Sequence, residues 1–85
     1  MYRYEFTPEA KRQLRKLSPE IARFLLHKLD YFISTDKPLS FAKRLINFQL
    51  GQYRFRIGDY RIVFDAIETV LVIHAVNHRS EIYKK

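Results

Sequence analysis

The sequence predicts an α+β fold in the order β-α-α-β-β-β, and three observations lead there. Two helix starts of the same kind, Thr7-Pro8-Glu9 and Ser18-Pro19-Glu20, each open an apolar stripe of helical period. Residues 53–64 alternate strictly about the pair Gly58-Asp59, which is the pattern of two strands joined by a two-residue turn. Tyr2, Tyr4 and Phe6 alternate with Arg3 and Glu5, so a strand precedes the first helix.

Eighty-five residues suit one small domain, spanning 1–85, and 47% hydrophobic content is enough to give it a core. The chain has no cysteine, which excludes disulfides and thiolate metal sites and fits a reducing cytoplasm. No apolar run approaches the roughly 18 residues of a membrane span, and the N-terminus has no signal-like apolar region. Sixteen Lys and Arg against nine Asp and Glu give a net charge of +7, with a pI near 9.9. That balance points to nucleic acid, an acidic protein partner, or both. A membrane surface fits poorly, because the basic residues are not confined to one amphipathic helix.

In the first helix Thr7 is the N-cap and Pro8 the first helical residue; Ala10, Leu14 and Leu17 form the apolar stripe, and Lys11, Arg12, Arg15 and Lys16 cover the rest. Ser18 caps a second helix, expected from Pro19 to about Ile33, with Ile21, Phe24, Leu25, Leu29, Phe32 and Ile33 as its buried stripe. The two make an α-hairpin, ended by Ser34-Thr35-Asp36-Lys37-Pro38. Residues 39–52 carry little pattern; Leu45 and Phe48 are candidates for burial, and Lys43-Arg44 for exposure.

In the hairpin that follows, Tyr53, Phe55, Ile57, Tyr60, Ile62 and Phe64 share one face, and Arg54, Arg56 and Arg61 the other. The two-residue turn pairs Ile57 with Tyr60 and sets Arg56 directly across from Arg61. Like charges directly opposite are destabilising, so three guanidinium groups on one face suggest an anionic partner. Arginine's planar fork also suits phosphate oxygens. Ala66-Ile67-Glu68-Thr69 reads as a four-residue turn, followed by a last strand from Val70 to Asn77. That register pairs Arg61 with His74. It sends Leu71, Ile73 and Ala75 to the core, and His74, Val76 and His78 to the arginine face. A slip of one residue inverts it.

Taken together, these residues resemble the RelE/ParE superfamily of bacterial toxins from type II toxin–antitoxin pairs. The resemblance covers nearly the whole chain: the opening strand into Phe6-Thr7-Pro8-Glu9-Ala10, Leu14-Arg15-Lys16-Leu17, Lys43-Arg44-Leu45, the block Gly51 to Phe64, and the ending His78-Arg79-Ser80-Glu81-Ile82-Tyr83. It implies a small twisted antiparallel sheet with the N-terminal α-hairpin packed on one face. The superfamily has two branches, RelE-like mRNA interferases that cut mRNA in the ribosomal A site and ParE-like poisons of DNA gyrase. The His-Arg-x-x-x-Tyr ending looks like the RelE branch. By that resemblance Arg54, Arg56, Arg61, Arg79 and Tyr83 line an active site. The chain departs from the best-known RelE pattern in having arginines where the first hairpin strand carries lysines, and in a shorter hairpin turn. An arginine does not readily shed a proton, which weakens a base role at those positions.

RNA can be cut without a metal, cofactor or covalent intermediate by attack of the 2′-hydroxyl on the adjacent phosphorus. The reaction needs a base, positive charge for the transition state, and an acid for the leaving 5′-oxygen. The arginines supply charge. For proton transfer His78 is the best-suited side chain, with Tyr83 and Glu81 as further candidates. No His, Cys or carboxylate spacing suggests a metal site. Lys11, Arg12, Arg15, Lys16, Arg23, Lys43 and Arg44 are candidates for gripping ribosomal RNA, against the plainer reading of a solvated helix face. A solvated strand face is likewise the plain alternative for the three hairpin arginines, and His27 and His74 read as structural or exposed.

The expected protein is therefore a cytoplasmic, ribosome-dependent endoribonuclease. The resemblance implies as its partner a cognate antitoxin, acidic where they meet and partly disordered when free. Operator DNA would be bound only through that antitoxin, and no membrane is involved. A gyrase poison and a non-catalytic toxin homologue acting as an antitoxin-bound co-repressor are the alternatives.

Overall fold

The computed structural model describes residues 1–46 and 51–82, the last two by their backbone. The order of elements is β1 (Arg3–Phe6), α1 (Pro8–Arg15), α2 (Pro19–Ser34), a 3₁₀ turn (Pro38–Phe41), β2 (Ala42–Arg44), β3 (Tyr53–Ile57), β4 (Tyr60–Ile67), β5 (Val70–His78) and α3 (Arg79–Ile82). The strands form one sheet in the order β1-β5-β4-β3-β2. The α+β class and the two helices ahead of the main strands are as the sequence predicts.

Both helices start where the caps say. The Thr7 hydroxyl accepts the Ala10 N–H at 3.1 Å, and Ser18 accepts that of Ile21 at 3.3 Å. Ala10, Leu25, Leu29 and Phe32 are buried against Phe55, Ile57, Ile62, Phe64, Leu71, Ile73 and Val76. Phe55 lies between the rings of Phe32 and Phe64, with centroids 4.6 and 4.5 Å away. A fully buried side chain of this size stabilises the fold by about 1.5–3 kcal/mol. Phe24 departs from expectation. It is 51% exposed, because α2 turns its Leu25–Leu29–Phe32 stripe to the sheet and Phe24 falls outside that arc.

The sheet is mixed. β1 runs parallel to β5 (Arg3↔Val70 to Phe6↔Ile73), whereas the resemblance led us to expect only antiparallel pairs. The Thr7 N–H continues this ladder to the Ile73 carbonyl at 3.0 Å, just where α1 begins. Beyond that point β5 has no strand on its β1 side, while β4 continues on the other. The Gln13 side chain takes the place of one, accepting the Val76 N–H at 2.7 Å. The Tyr4 hydroxyl ties β1 to α2, donating to Asp30 at 2.7 Å. Burial and the Asp30 carboxylate push this phenol up to about 12.

Four further differences come from short-range geometry. β2 lies in the segment that carried little pattern, and it pairs with β3 through Ala42↔Phe55, Lys43↔Arg54 and Arg44↔Tyr53. Its three residues are too few to show a period. A short helix, α3, follows β5, where the sequence suggested none. The β4–β5 turn is two residues, with Ile67 paired to Val70 and Glu68 at φ 55°. Glu-Thr is not a turn-forming dipeptide, so the sequence gives no sign of so tight a connection. A bulge then shifts the β4–β5 register: Phe64 pairs with Ile73 but Val63 with Ala75, leaving His74 as the extra residue. Ala75 therefore leaves the core and Val76 enters it.

Left-handed backbone costs a non-glycine residue roughly 1–2 kcal/mol, part of which glycine gives back through unfolded-state entropy. Glu68→Gly should therefore stabilise the chain by about 0.5–1 kcal/mol, raising Tm by a few degrees. A lower Tm in thermal unfolding would contradict the tight turn.

Candidate functional site: the cationic face of the sheet

The helices cover one face of the sheet, and the hairpin arginines meet on the other. On β3 the hairpin register is as predicted, with Ile57↔Tyr60, Arg56↔Arg61 and Arg54↔Val63. Gly58 has φ 59° while Asp59 has no positive φ, which fits a turn with glycine at its first central position. Lys43 sits across β2 from Arg54 and so joins this face. Two rows result. One runs Lys43, Arg54, Val63, Ala75 across β2 to β5, and the next runs Arg56, Arg61, Asn77 across β3 to β5. Adjacent strands are about 4.8 Å apart, so four cations crowd one end of the face. Lys43 was assigned to RNA docking on sequence alone; β2 is what brings it to the arginines.

Arg61 is the buried member, 4% exposed, and one guanidinium nitrogen donates to the Tyr60 carbonyl at 3.4 Å. Arg54 is half-buried, and Arg56 and Arg79 are exposed. The Arg79 N–H donates to the Asp59 carbonyl at 2.7 Å, which places α3 at the β3–β4 turn, beside the Arg56–Arg61 row.

The far end of the face is polar and anionic. Asp65 accepts the Gln52 N–H on one oxygen at 2.9 Å, and its other oxygen lies 2.9 Å from Nε2 of His74. The Gln52 side chain accepts the Ala66 N–H at 3.0 Å. Gly51 crosses here against Val63, which is buried on this face apart from the main core. A Cβ on Gly51 would stand 2.7 Å from Val63 Cγ1, and its φ is 149°.

His78 does not sit where the sequence register put it. The bulge at His74 turns it to the core side, paired with Tyr60 and packed edge-on against that ring at 5.2 Å. Its Nδ1 accepts the Ser80 N–H at 3.2 Å, the bond of a helix cap. The expected pairing of Arg61 with His74 is replaced by Arg61↔Asn77. Tyr83 and Phe48 lie outside the described residues, as does the Glu81 side chain.

Lys11, Arg12, Arg15, Lys16 and Arg23 are exposed on the helical layer, on the opposite side of the sheet from the arginines. Arg12 is bridged to Glu9. Arg44 is exposed, with its guanidinium 6.0 Å from the centre of the Tyr53 ring. A cleft between the N-terminal segment and the end of α2 is lined by Met1, Tyr2, Asp30, Ile33 and Asp36, away from the arginine face. Among the described residues no group of His, Cys, Asp and Glu is arranged to hold a metal, and no helix is long and apolar enough to cross a membrane.

The family model described as the ParE toxin of the type II toxin–antitoxin system parDE matches residues 4–83. The chain belongs to the RelE/ParE superfamily of toxins. It is similar to Toxin RelG of Mycobacterium tuberculosis, 34% identical over 86 residues that span 99% of this chain and 98% of the relative. Among solved structures, the toxin–antitoxin complex RelBE2 from the same organism matches with a TM-score of 0.75 at 31% identity, covering 92% of this chain and 98% of that one. The RelB–RelE antitoxin–toxin complex of Methanococcus jannaschii has the same fold, with a TM-score of 0.70 at 19% identity over 92% of this chain and 93% of that one. The toxin's function class follows: it is the toxin of a type II pair.

Gly51→Ala forces a side chain into Val63 at a φ that only glycine adopts easily. It should destabilise the toxin by about 1–3 kcal/mol, and adding Val63→Ala should cost less than the two changes summed. An unchanged Tm for Gly51→Ala would show that this crossing is not tight.

Proposed function

We propose that the toxin is a RelE-type endoribonuclease that binds mRNA in the ribosome across its cationic face and cleaves it by 2′-hydroxyl attack. The observation that carries the reading is the juxtaposition of Arg56 with Arg61 and of Lys43 with Arg54. Like-charged pairs facing each other across strands destabilise a sheet, and a bound phosphodiester converts that repulsion into attraction. Arg61 contributes most to a developing phosphorane, because charge–charge interactions strengthen where water is excluded and it is the most buried of the four. Arg79, at the edge of the same cluster, extends it toward the neighbouring phosphate. Tyr83 follows α3 in sequence and is kept as a catalytic or base-stacking residue on the strength of the resemblance alone.

The helix cations are suited to ribosomal RNA instead. They lie on a separate side of the domain, so docking and chemistry need not compete for one surface. The complexes RelBE2 and RelB–RelE support a cognate antitoxin as partner here too. On a chain of charge +7 its contact surface would be acidic.

One observation favours the other branch: the matching family model is the ParE one. Against it stand the relatives RelG and RelBE2, which match at higher than 30% identity and carry RelE-type names. A gyrase poison needs a binding surface but no buried arginine at a reaction centre.

The test is cleavage of mRNA on programmed ribosomes, run beside gyrase supercoiling. Arg61→Ala should lower the single-turnover rate by roughly 10²–10³-fold, the loss typical of one transition-state donor. Melting curves of Arg61→Ala and Arg61→Lys would show whether the fold survives. A folded, fully active Arg61→Ala toxin, or gyrase inhibition without RNA cleavage, would overturn the reading.

A further inference from the structure

We infer that His74, held by Asp65, is the general base of the cleavage reaction; this rests on the nuclease reading above. The chain has three histidines. His27 is exposed on α2, in the helical layer, and His78 caps α3 on the core side of the sheet. Of the three, His74 alone shares the face with Arg54 and Arg61, where alternation after the buried Ile73 puts it; the bulge beside it adds Ala75 to that face and turns His78 away from it. Bulges commonly re-aim a side chain in this way.

The contact with Asp65 fixes which nitrogen can act. A carboxylate only accepts, so Nε2 carries the proton and donates to Asp65 at 2.9 Å. In the neutral ring Nδ1 is then the free base, and among the described residues it makes no hydrogen bond. The two side chains are about one-third exposed, enough for a substrate to reach the ring. Asp65 is itself anchored by the Gln52 N–H. This is the arrangement of a base oriented by a third group.

His74 is separated from both arginines by short spans of sheet. Ala75, its neighbour, pairs with Val63, and Val63 with Arg54, so His74 is two strand spacings from Arg54, about 10 Å. It is three residues along β5 from Asn77, the partner of Arg61 on the next strand, which puts it about 11 Å from Arg61. A nucleotide whose phosphate is held by the arginines spans that gap with its ribose. In the step, Nδ1 takes the proton of the 2′-hydroxyl, and the 2′-oxygen bonds to phosphorus. The bond from phosphorus to the 5′-oxygen breaks, and that oxygen takes a proton from solvent water. The imidazolium returns its proton to solvent, leaving a 2′,3′-cyclic phosphate and a 5′-hydroxyl.

The charged groups facing His74 are Asp65 and, farther along β4, Arg61; Arg54 from β3; and Glu5 from β1, whose partner Val72 is two residues from His74. Asp65 is the one in contact. Asp65 is therefore a positioning residue, and replacing it should alter the pH profile.

The experiment is single-turnover cleavage on programmed ribosomes as a function of pH, using the full chain. His74→Ala should lose roughly 10²–10⁴-fold in rate and the rise of rate with pH, and added imidazole should restore part of both. Asp65→Asn should lower the rate less than His74→Ala does and shift the pH profile. A His74→Ala toxin with the parent's rate and profile overturns the inference and leaves the nuclease reading standing. So does a slow His74→Ala toxin that imidazole does not rescue while His74→Gln is fully active, since that marks a packing role. If the parent itself cuts no RNA, the nuclease reading fails, and this inference with it.

Discussion

The pairing of β4 with β5 contains one extra residue, and the distribution of chemistry over the two faces of the sheet follows from where it sits. Before the bulge Leu71 and Ile73 point into the core; after it Val76 does, and His78 follows onto the same side. Without the extra residue the second half of β5 would be inverted, burying Asn77 and exposing Val76. The bulge thus keeps the core apolar along a strand whose sequence does not alternate throughout. It also sets His74 and Ala75 side by side on the cationic face, and it leaves the Val76 N–H to be satisfied by Gln13 of α1. Helix packing, strand register and site geometry therefore share one local irregularity.

The hairpin was legible residue by residue. Strict alternation and a glycine-led turn leave a single register, and Arg56 faces Arg61 as the sequence requires. The helix starts were equally plain, since a hydroxyl cap followed by proline has few other uses. The last strand was not legible for two physical reasons. Its turn places Glu68 in the left-handed region, where sequence rules expect glycine or asparagine. Its bulge depends on the Asp65–His74 contact and on core packing, neither of which is local in sequence. The error reached the site's face: the predicted register set His78 beside the arginines, whereas the bulge turns it to the core side, where it caps α3. β2 went unseen because three residues show no period, and with it went Lys43's place beside Arg54.

The cationic face and the helical layer divide the charge of the chain into two surfaces. One is concave in charge, with a buried arginine surrounded by cations and bounded by the Asp65–His74 pair. The other is a set of long, exposed side chains that tolerate many partners. In the function proposed above, one surface docks on RNA and the other holds the phosphodiester.

The most direct measurement is an NMR titration of the chain with a short 2′-O-methyl RNA, which binds as substrate but has no free 2′-hydroxyl to react. The account predicts that the Nε–H signals of Arg54 and Arg61 and the ring signals of His74 shift together, while Phe24 and Tyr31 on the helical layer stay in place. Shifts confined to the helical layer, with those three side chains unmoved, would contradict it.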